Sequence, residues 1–243
     1  MTTTKGKLFM IPQPLGDTSS LDNLSPLVRK TILKLDHFIV ENEKAGRRFI
    51  KRICPEKPQS ELKLQSLNKF TEPHEMDTML APCLAGHSMG MISDAGCPGV
   101  ADPGAEIAAK AHENGIKVVP LVGPSSILLA LMGSGLNGQS FSFHGYLPID
   151  KNQRRRVIRK LESDSEASNQ TQLFIETPYR NNDMLKSLLQ ALHPNTKLCI
   201  ACDLNMDTEY IETKPVGKWI GNTPDLHKRP CIFLFQKDRS FKY

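Results

Sequence analysis

The feature that most constrains the fold is a rhythm of short apolar runs of strand length. Each is closed by a turn rich in Gly and Pro before a helix-like segment begins. KLFMI ends in PQPLGD, HSMGMI ends in SDAGCPGVADPG, and IKVVPLV ends in GPSS. The segments that follow carry helix signals. Ser25-Pro26 and Asp102-Pro103 each read as an N-cap followed by proline at the first helical position, and PGAEIAAKAHENG stops at Gly115. A strand-turn-helix order repeated in this way predicts an α/β protein, with a parallel or mostly parallel sheet covered by helices.

Between these units the helix after Ser25 is expected to run to about Leu35. HFIVEN reads as a strand ending in acids, GRRFIKRI as a basic helix, CPEKPQSE as a loop, and the stretch from Pro73 to Ala85 as a helix. GPSSILLALMGSGL turns directly into a helix. Beyond it the texture changes. SFSFHGYLP, QLFIET, KLCIACDL, EYIETK and CIFLF read as strands, with EYIETK close enough to CDLNMDT for antiparallel pairing. KNQRRRVIRKLE is a basic helix, DSEASNQ a polar loop, and Tyr179 to Leu192 a further helix. The change of pattern divides the 243 residues into domains at 1–121 and 122–243.

Composition narrows the class. Apolar content of 39% and charged content of 23% suit a soluble globular protein, and no apolar run approaches the roughly 20 residues of a membrane helix. MTTTKGKLFMIP has no small-residue cleavage site and reads as a first strand, so a cytoplasmic location and no membrane partner are expected. Without a secretion signal the six cysteines are not expected to pair. Cys199 and Cys202 form a CxxC, but they sit inside an apolar strand, point to opposite faces by alternation, and have no second CxxC or histidine to complete a zinc set. They read as buried small hydrophobes, and no metal site is expected.

The three turns carry the chemistry. In open α/β sheets, ligands bind beyond the carboxyl ends of the strands, where these turns fall. Gly lets backbone approach a ligand and Pro stiffens the loop. The N–H groups opening the helix at SSI suit an anion or carboxylate. Asp94 and Asp102 suit a sugar hydroxyl or an ammonium group. Each turn taken alone is equally an ordinary turn or helix cap. No GxxxxGK[ST] and no GxGxxG after the first strand occur, which speaks against a P-loop NTPase and a standard dinucleotide domain. The glycine signature of Rossmann-type methyltransferases is also missing.

IPQPLGD, SDAGCPGVADPG, and VVPLVGPSSILLAL followed by FHGYLP resemble the tetrapyrrole methylase superfamily. Within it they are most similar to the branch of ribosomal RNA small subunit methyltransferase I, which methylates a cytidine ribose 2′-oxygen in 16S rRNA. The resemblance runs from about Lys7 to Phe235. It implies two α/β domains of the tetrapyrrole methylase type with the cofactor cleft between them, S-adenosylmethionine as cofactor, 16S rRNA in the small ribosomal subunit as partner, and a homodimer. Carried over by position, it implies cofactor contacts at Pro14, Asp94, Cys97, Val100, Ser126 and Ile127, and from the second domain at Thr177, Ala201 and Pro230. The methyl group arrives already activated, so the protein's task is alignment and removal of the hydroxyl proton. The acids at strand ends, Glu41 and Asp203 with Glu43 beside them, are the candidate bases.

The departures from the branch concern the substrate more than the cofactor. VENEKAG stands where the branch has an AEDTR-like stretch, ACDLNMD where it has ARELTK, and KRP where it has KGE. The chain stops at Tyr243 without the branch's usual extension. Net charge is +5, and two basic clusters stand out, Arg47, Arg48, Lys51 and Arg52, and Lys151 to Lys160. The second puts positions 152, 155, 156 and 159 on one helical face. It reads either as a track for a phosphate backbone or as a solvated helix neutralised by Glu162 and its neighbours. The residues alone leave a small-molecule substrate such as a tetrapyrrole, and a cofactor-binding relative without catalysis, open beside the RNA substrate.

Overall fold

The computed structural model describes residues 4–16, 18–67, 71 and 73–238. Asp17 of the first turn and the terminal Tyr243 lie outside them. The chain divides into two compact units, Met1–Ser125 and Ser126–Tyr243.

The first unit is built on a parallel sheet. Its strands are β1 (Lys7–Ile11), β2 (His37–Val40), β3 (Lys63–Ser66), β4 (Met89–Ile92) and β5 (Lys117–Pro120), in the order β3-β2-β4-β1-β5. β4 lies between β1 and β2 and is buried along its whole length. Gly90 is required there, because a Cβ would stand 2.7 Å from Ile11 Cδ1 and 2.8 Å from Phe38 Cδ1. One face is covered by α1 (Pro26–Leu33) and α2 (Glu43–Ile53), through Val28, Ile32, Phe49 and Ile50. The other is covered by α3 (Pro73–Met79), α4 (Ala81–Leu84) and α5 (Gly104–Glu113), through Met76, Cys83, Ile107 and Ala111.

Local signals start and stop these helices. The Ser25 side chain accepts from Leu27 N, and Asn42 caps α2 by accepting from Ala45 N at 3.0 Å. α5 ends at Gly115, which takes φ +61°, while Ile116 N donates to Ala111 O and Gly115 N to His112 O. That pair of bonds closes the last turn around a residue without a Cβ.

The second unit has a mixed sheet. Before it comes α6 (Ser126–Ser134). The strands β6 (Phe141–Tyr146), β7 (Thr171–Ile175), β8 (Lys197–Cys202), β9 (Tyr210–Pro215) and β10 (Cys231–Gln236) take the order β6-β7-β10-β8-β9. β6 and β7 are parallel, and the remaining pairs are antiparallel, β8 with β9 among them. α7 (Lys151–Ser168) and α8 (Asn181–Ala191) bury Ile158, Leu161, Leu185 and Leu188 against Phe174, Phe233, Phe235 and Trp219. α6 packs on the β10, β8 and β9 side. Cys199 and Cys202 are buried on β8, and only Cys202 joins the core with Phe233.

Four segments differ from the reading of the sequence. The single helix expected from Pro73 to Ala85 breaks at Leu80 into α3 and α4. KLQS, left unassigned after a loop, forms β3, an edge strand that pairs with β2 but alternates weakly. α1 stops at Leu33, two residues short of Leu35. DSEAS is not a loop but the last turns of α7. Ser165 is fully buried and donates its hydroxyl to Gln170 O at 2.7 Å, and Asn169 ends the helix in the left-handed conformation at φ +51°. Polar composition hid a stretch held in the helix by tertiary contacts.

Candidate functional site

In the first unit, β1 and β4 lie side by side and their connections leave toward opposite faces of the sheet, β1 through α1 and β4 through α5. That divergence opens a crevice at their carboxyl ends. The three Gly/Pro turns meet there. Gln13 N donates to Gly96 O at 2.9 Å and Gln13 Nε2 to Ser93 O at 2.6 Å, joining the first turn to the second. The Cys97 thiol donates to Pro124 O at 3.3 Å, joining the second to the third. Gly123 closes the set, since a Cβ at that position would stand 2.3 Å from the Pro12 ring.

A cavity of about 470 Å³ lies at this end, in the size range of small-molecule sites. It is lined by Gln13, Pro14, Leu15 and Gly16 from the first turn, Asp94 and Ala95 from the second, and Ala45, Arg48, Phe49 and Arg52 from α2. Arg52 Nη2 donates to Ser19 O at 2.6 Å, which anchors its guanidinium. Arg47, on another face of α2, pairs instead with Glu43 at 2.9 Å and donates to Gln59 O.

Glu41 is bonded to Asp94, which lines the cavity. It follows β2, whose last residue is in register with the last residue of β4, so Glu41 and Asp94 meet where the two strands end. Asp94 N donates to Glu41 Oε1 at 2.9 Å. Burial pushes the Glu41 carboxyl above its ordinary range. The backbone bond from Asp94 pulls it back in part, and the charges of Asp94 and Asp102 push it up further. Burial also raises Asp94.

The rest of the second turn is shaped by Asp102. Its Oδ1 accepts from Gly99 N at 2.7 Å and Gly104 N at 2.6 Å, which closes the loop on itself; α5 begins at Gly104, so Pro103 and not Asp102 takes the cap position, one residue later than expected. Gly96 and Gly99 take φ +69° and +81°, where a side chain would be strained. Asp102 Oδ2 is buried with no hydrogen-bond partner among the described residues.

The other residues expected at the site fall in different settings. Val100 is exposed on the second turn, and Cys97 is half-buried with its thiol raised by burial. Ser126 and Ile127 open α6 and are half-buried. Thr177 follows β7, where Glu176 Oε1 accepts from its N–H at 2.6 Å and from Arg180. Pro230 is exposed, and its carbonyl accepts from Asp203 N. Ala201 is enclosed in the ladder between Ile211 and Ile232 with 1% of its surface exposed, so its side chain offers a ligand no surface.

Asp203 is engaged rather than poised. Its Oδ2 accepts from Arg229 Nε at 2.8 Å and from Thr208 Oγ1 at 2.9 Å, while the residue sits in the left-handed region at φ +50°. Glu43 opens α2 and is occupied by Arg47. What the sequence reading missed is the part played by Gln13 in tying two turns, and Phe49 as cavity wall. The four-residue spacing of Arg48 and Arg52 on α2 was the available signal that both face one side.

A family model described as Tetrapyrrole (Corrin/Porphyrin) Methylases matches residues 7–219. The chain belongs to that family. It is a methyltransferase, and its cofactor is S-adenosylmethionine. Similar curated proteins include the ribosomal RNA small subunit methyltransferase I of Vibrio cholerae, 26% identical over 93% of this chain and 76% of its own, and that of Escherichia coli O157:H7, 25% identical over 96% and 78%. Among solved structures, the methyltransferase CobJ superposes with a TM-score of 0.64 at 15% identity, covering 96% of this chain and 94% of its own. The uroporphyrin-III-C-methyltransferase of Thermus thermophilus superposes with a TM-score of 0.55 at 15% identity, over 96% and 95%. These two likenesses establish the fold. Among the described residues no group of acids, histidines and cysteines is arranged to hold a metal, and no helix is long and apolar enough to cross a membrane.

Proposed function

We propose that this methyltransferase acts on a ribose 2′-oxygen of 16S rRNA. The observation that carries the reading is Glu41 beside the cavity that Arg48 and Arg52 line. A carboxylate raised by burial is a better proton acceptor near neutral pH than an ordinary one. The two guanidinium groups suit a substrate bearing phosphate. The curated relatives above, named for ribosomal RNA, support the same substrate class.

The residues of the second turn fit the cofactor. Gly96 and Gly99 let the loop backbone turn where a side chain would be strained, and Asp102 Oδ2, unpartnered among the described residues, suits a ligand that donates a hydrogen bond, as the cofactor's ammonium and ribose hydroxyls do. We assign cofactor contacts to Pro14, Asp94, Cys97, Val100, Ser126, Ile127, Thr177 and Pro230. When bound, the cofactor supplies an activated methyl group. Glu41 then has one task, to accept the hydroxyl proton at Oε2, while the Asp94 N–H holds Oε1 and orients the carboxylate. Asp203, bound by Arg229, serves as a strut rather than a base.

The test is incubation of the purified enzyme with methyl-labelled S-adenosylmethionine and small ribosomal subunits from a strain lacking this gene. The expected result is label in 16S rRNA that maps to a ribose. Label on a base, or no label in RNA while the cofactor binds by calorimetry, overturns the assignment.

A further inference from the structure

We propose that the outward face of the first turns of α7 docks the phosphodiester backbone of an RNA chain. This rests on the reading of the substrate as RNA, and adds a surface on the second unit to the cavity on the first.

Six cations lie between residues 151 and 160: Lys151, Arg154, Arg155, Arg156, Arg159 and Lys160. All but Arg154 are exposed, and among the described residues those five have no ion pair and no side-chain hydrogen bond. A solvated basic helix would neutralise itself with its own acids, and three of these four are committed elsewhere. Glu162 turns inward, where Oε1 accepts from His193 N at 2.7 Å and Thr196 Oγ1 at 2.5 Å. Asp150 caps the helix by accepting from Gln153 N at 2.8 Å. Glu166 pairs with Lys237 at 2.7 Å. Asp164, one turn past Lys160, makes no ion pair with it.

The placement also opposes the helix's own electrostatics. The N-terminal end of a helix carries partial positive charge and favours acids, yet beyond the cap residue Asp150 the first turn of α7 has none and carries Lys151 and Arg154 instead. Arg154 adds to the effect from within, 3% exposed with Nε unpartnered among the described residues. Among the described residues no ion pair engages the five exposed cations, so a polyanion outside the fold is the partner that would. Arg155, Arg156 and Arg159 share one face at helical spacing, comparable with the interval between successive phosphates of a strand. Tyr146, 61% exposed at the end of β6 just before α7, offers a ring on which a base can stack. A lipid surface is the weaker match, because Ile158 and Leu161 of α7 are buried in the core and Val157 packs against it, so the helix turns no apolar stripe outward.

The test measures binding of unmodified, in vitro transcribed 16S rRNA between about 50 and 200 mM salt. Three proteins are compared: the wild type, the triple variant Arg155→Ala, Arg156→Ala, Arg159→Ala, and a control of equal charge change, Lys30→Ala, Lys34→Ala, Lys218→Ala. The α7 variant is expected to bind at least tenfold more weakly at low salt. Its log–log salt slope should be shallower by roughly 2 to 3. It should keep its melting temperature and its cofactor affinity, and its loss in methyl transfer should appear in KM rather than kcat. The control should stay within about twofold of the wild type. No salt-sensitive RNA binding by the wild type overturns the RNA reading and this surface with it. Wild-type binding with an unchanged slope in the α7 variant overturns the surface alone, as does an equal loss in the control. Loss of binding to vesicles of phosphatidylserine and phosphatidylcholine, with RNA binding intact, replaces it by a lipid surface.

Discussion

Glu41 and Asp203 occupy equivalent places in the two units, each an acid directly after the end of a buried strand, and their surroundings differ in kind. Glu41 receives one backbone N–H and is pushed up by burial and by neighbouring carboxylates. Asp203 receives a guanidinium and a hydroxyl on Oδ2. One carboxylate keeps an oxygen available and a raised affinity for protons. The other is spent holding the β8–β9 connection to the start of β10. The difference teaches that an acid at a strand end is a signal of position only, and that its role follows from what is aimed at it.

The largest effect that would break this comparison is on catalysis. Glu41→Gln should lower the single-turnover rate of methyl transfer by about 10² or more while cofactor affinity stays the same. A rate within a few-fold of the wild type would remove Glu41 from the chemistry. Asp203→Ala should do the reverse. It removes the shared acceptor of Arg229 Nε and Thr208 Oγ1, while Arg229 keeps its bonds to the Thr208 and Asp225 carbonyls, and should cost about 2 kcal/mol of stability, read as a melting temperature lower by roughly 6 °C. Its kcat, measured well below that temperature, should change far less than that of Glu41→Gln. A stable but inactive Asp203→Ala protein would exchange the two roles.

A smaller effect sharpens the account of the cofactor loop. Asp102→Ala removes the acceptor for Gly99 N and Gly104 N, and should weaken S-adenosylmethionine binding by about tenfold in calorimetry, with a stability loss of about 1 kcal/mol. Unchanged affinity would separate the loop from the cofactor. The smallest effect concerns pH. The folded-state carboxyl of Glu41 binds its proton more tightly than in the unfolded chain. Between its ordinary value of 4.5 and the raised one the folded state holds more protons, so this group lowers stability as pH rises through that window. Glu41→Gln should therefore raise the melting temperature slightly at neutral pH and leave it unchanged below pH 4.5. A lower melting temperature at neutral pH would mean that Glu41 stabilises the fold instead.

Several elements are legible in the residues alone. The cap at Ser25, the stop at Gly115 and the antiparallel β8–β9 pair each follow from residues a few positions apart, because caps and turns are local chemistry. Asn42 caps α2, since a side-chain carbonyl accepts from Ala45 N as a carboxylate would. Elements held by distant partners are not legible in this way. β3 depends on β2, and the last turns of α7 depend on the burial of Ser165.

The site divides in the same way. The sequence by itself determined the three turns, their glycines, and the strand ends that carry them, because backbone conformation and strand period are set by neighbouring residues. Only the tertiary structure decided that Gln13 joins two of those turns, that Glu162 turns away from the cations of α7, that Ala201 is enclosed, and that Glu41 and Asp203 part company. Desolvation and pairing are properties of everything packed around a group, and much of what packs there comes from parts of the chain far away in sequence.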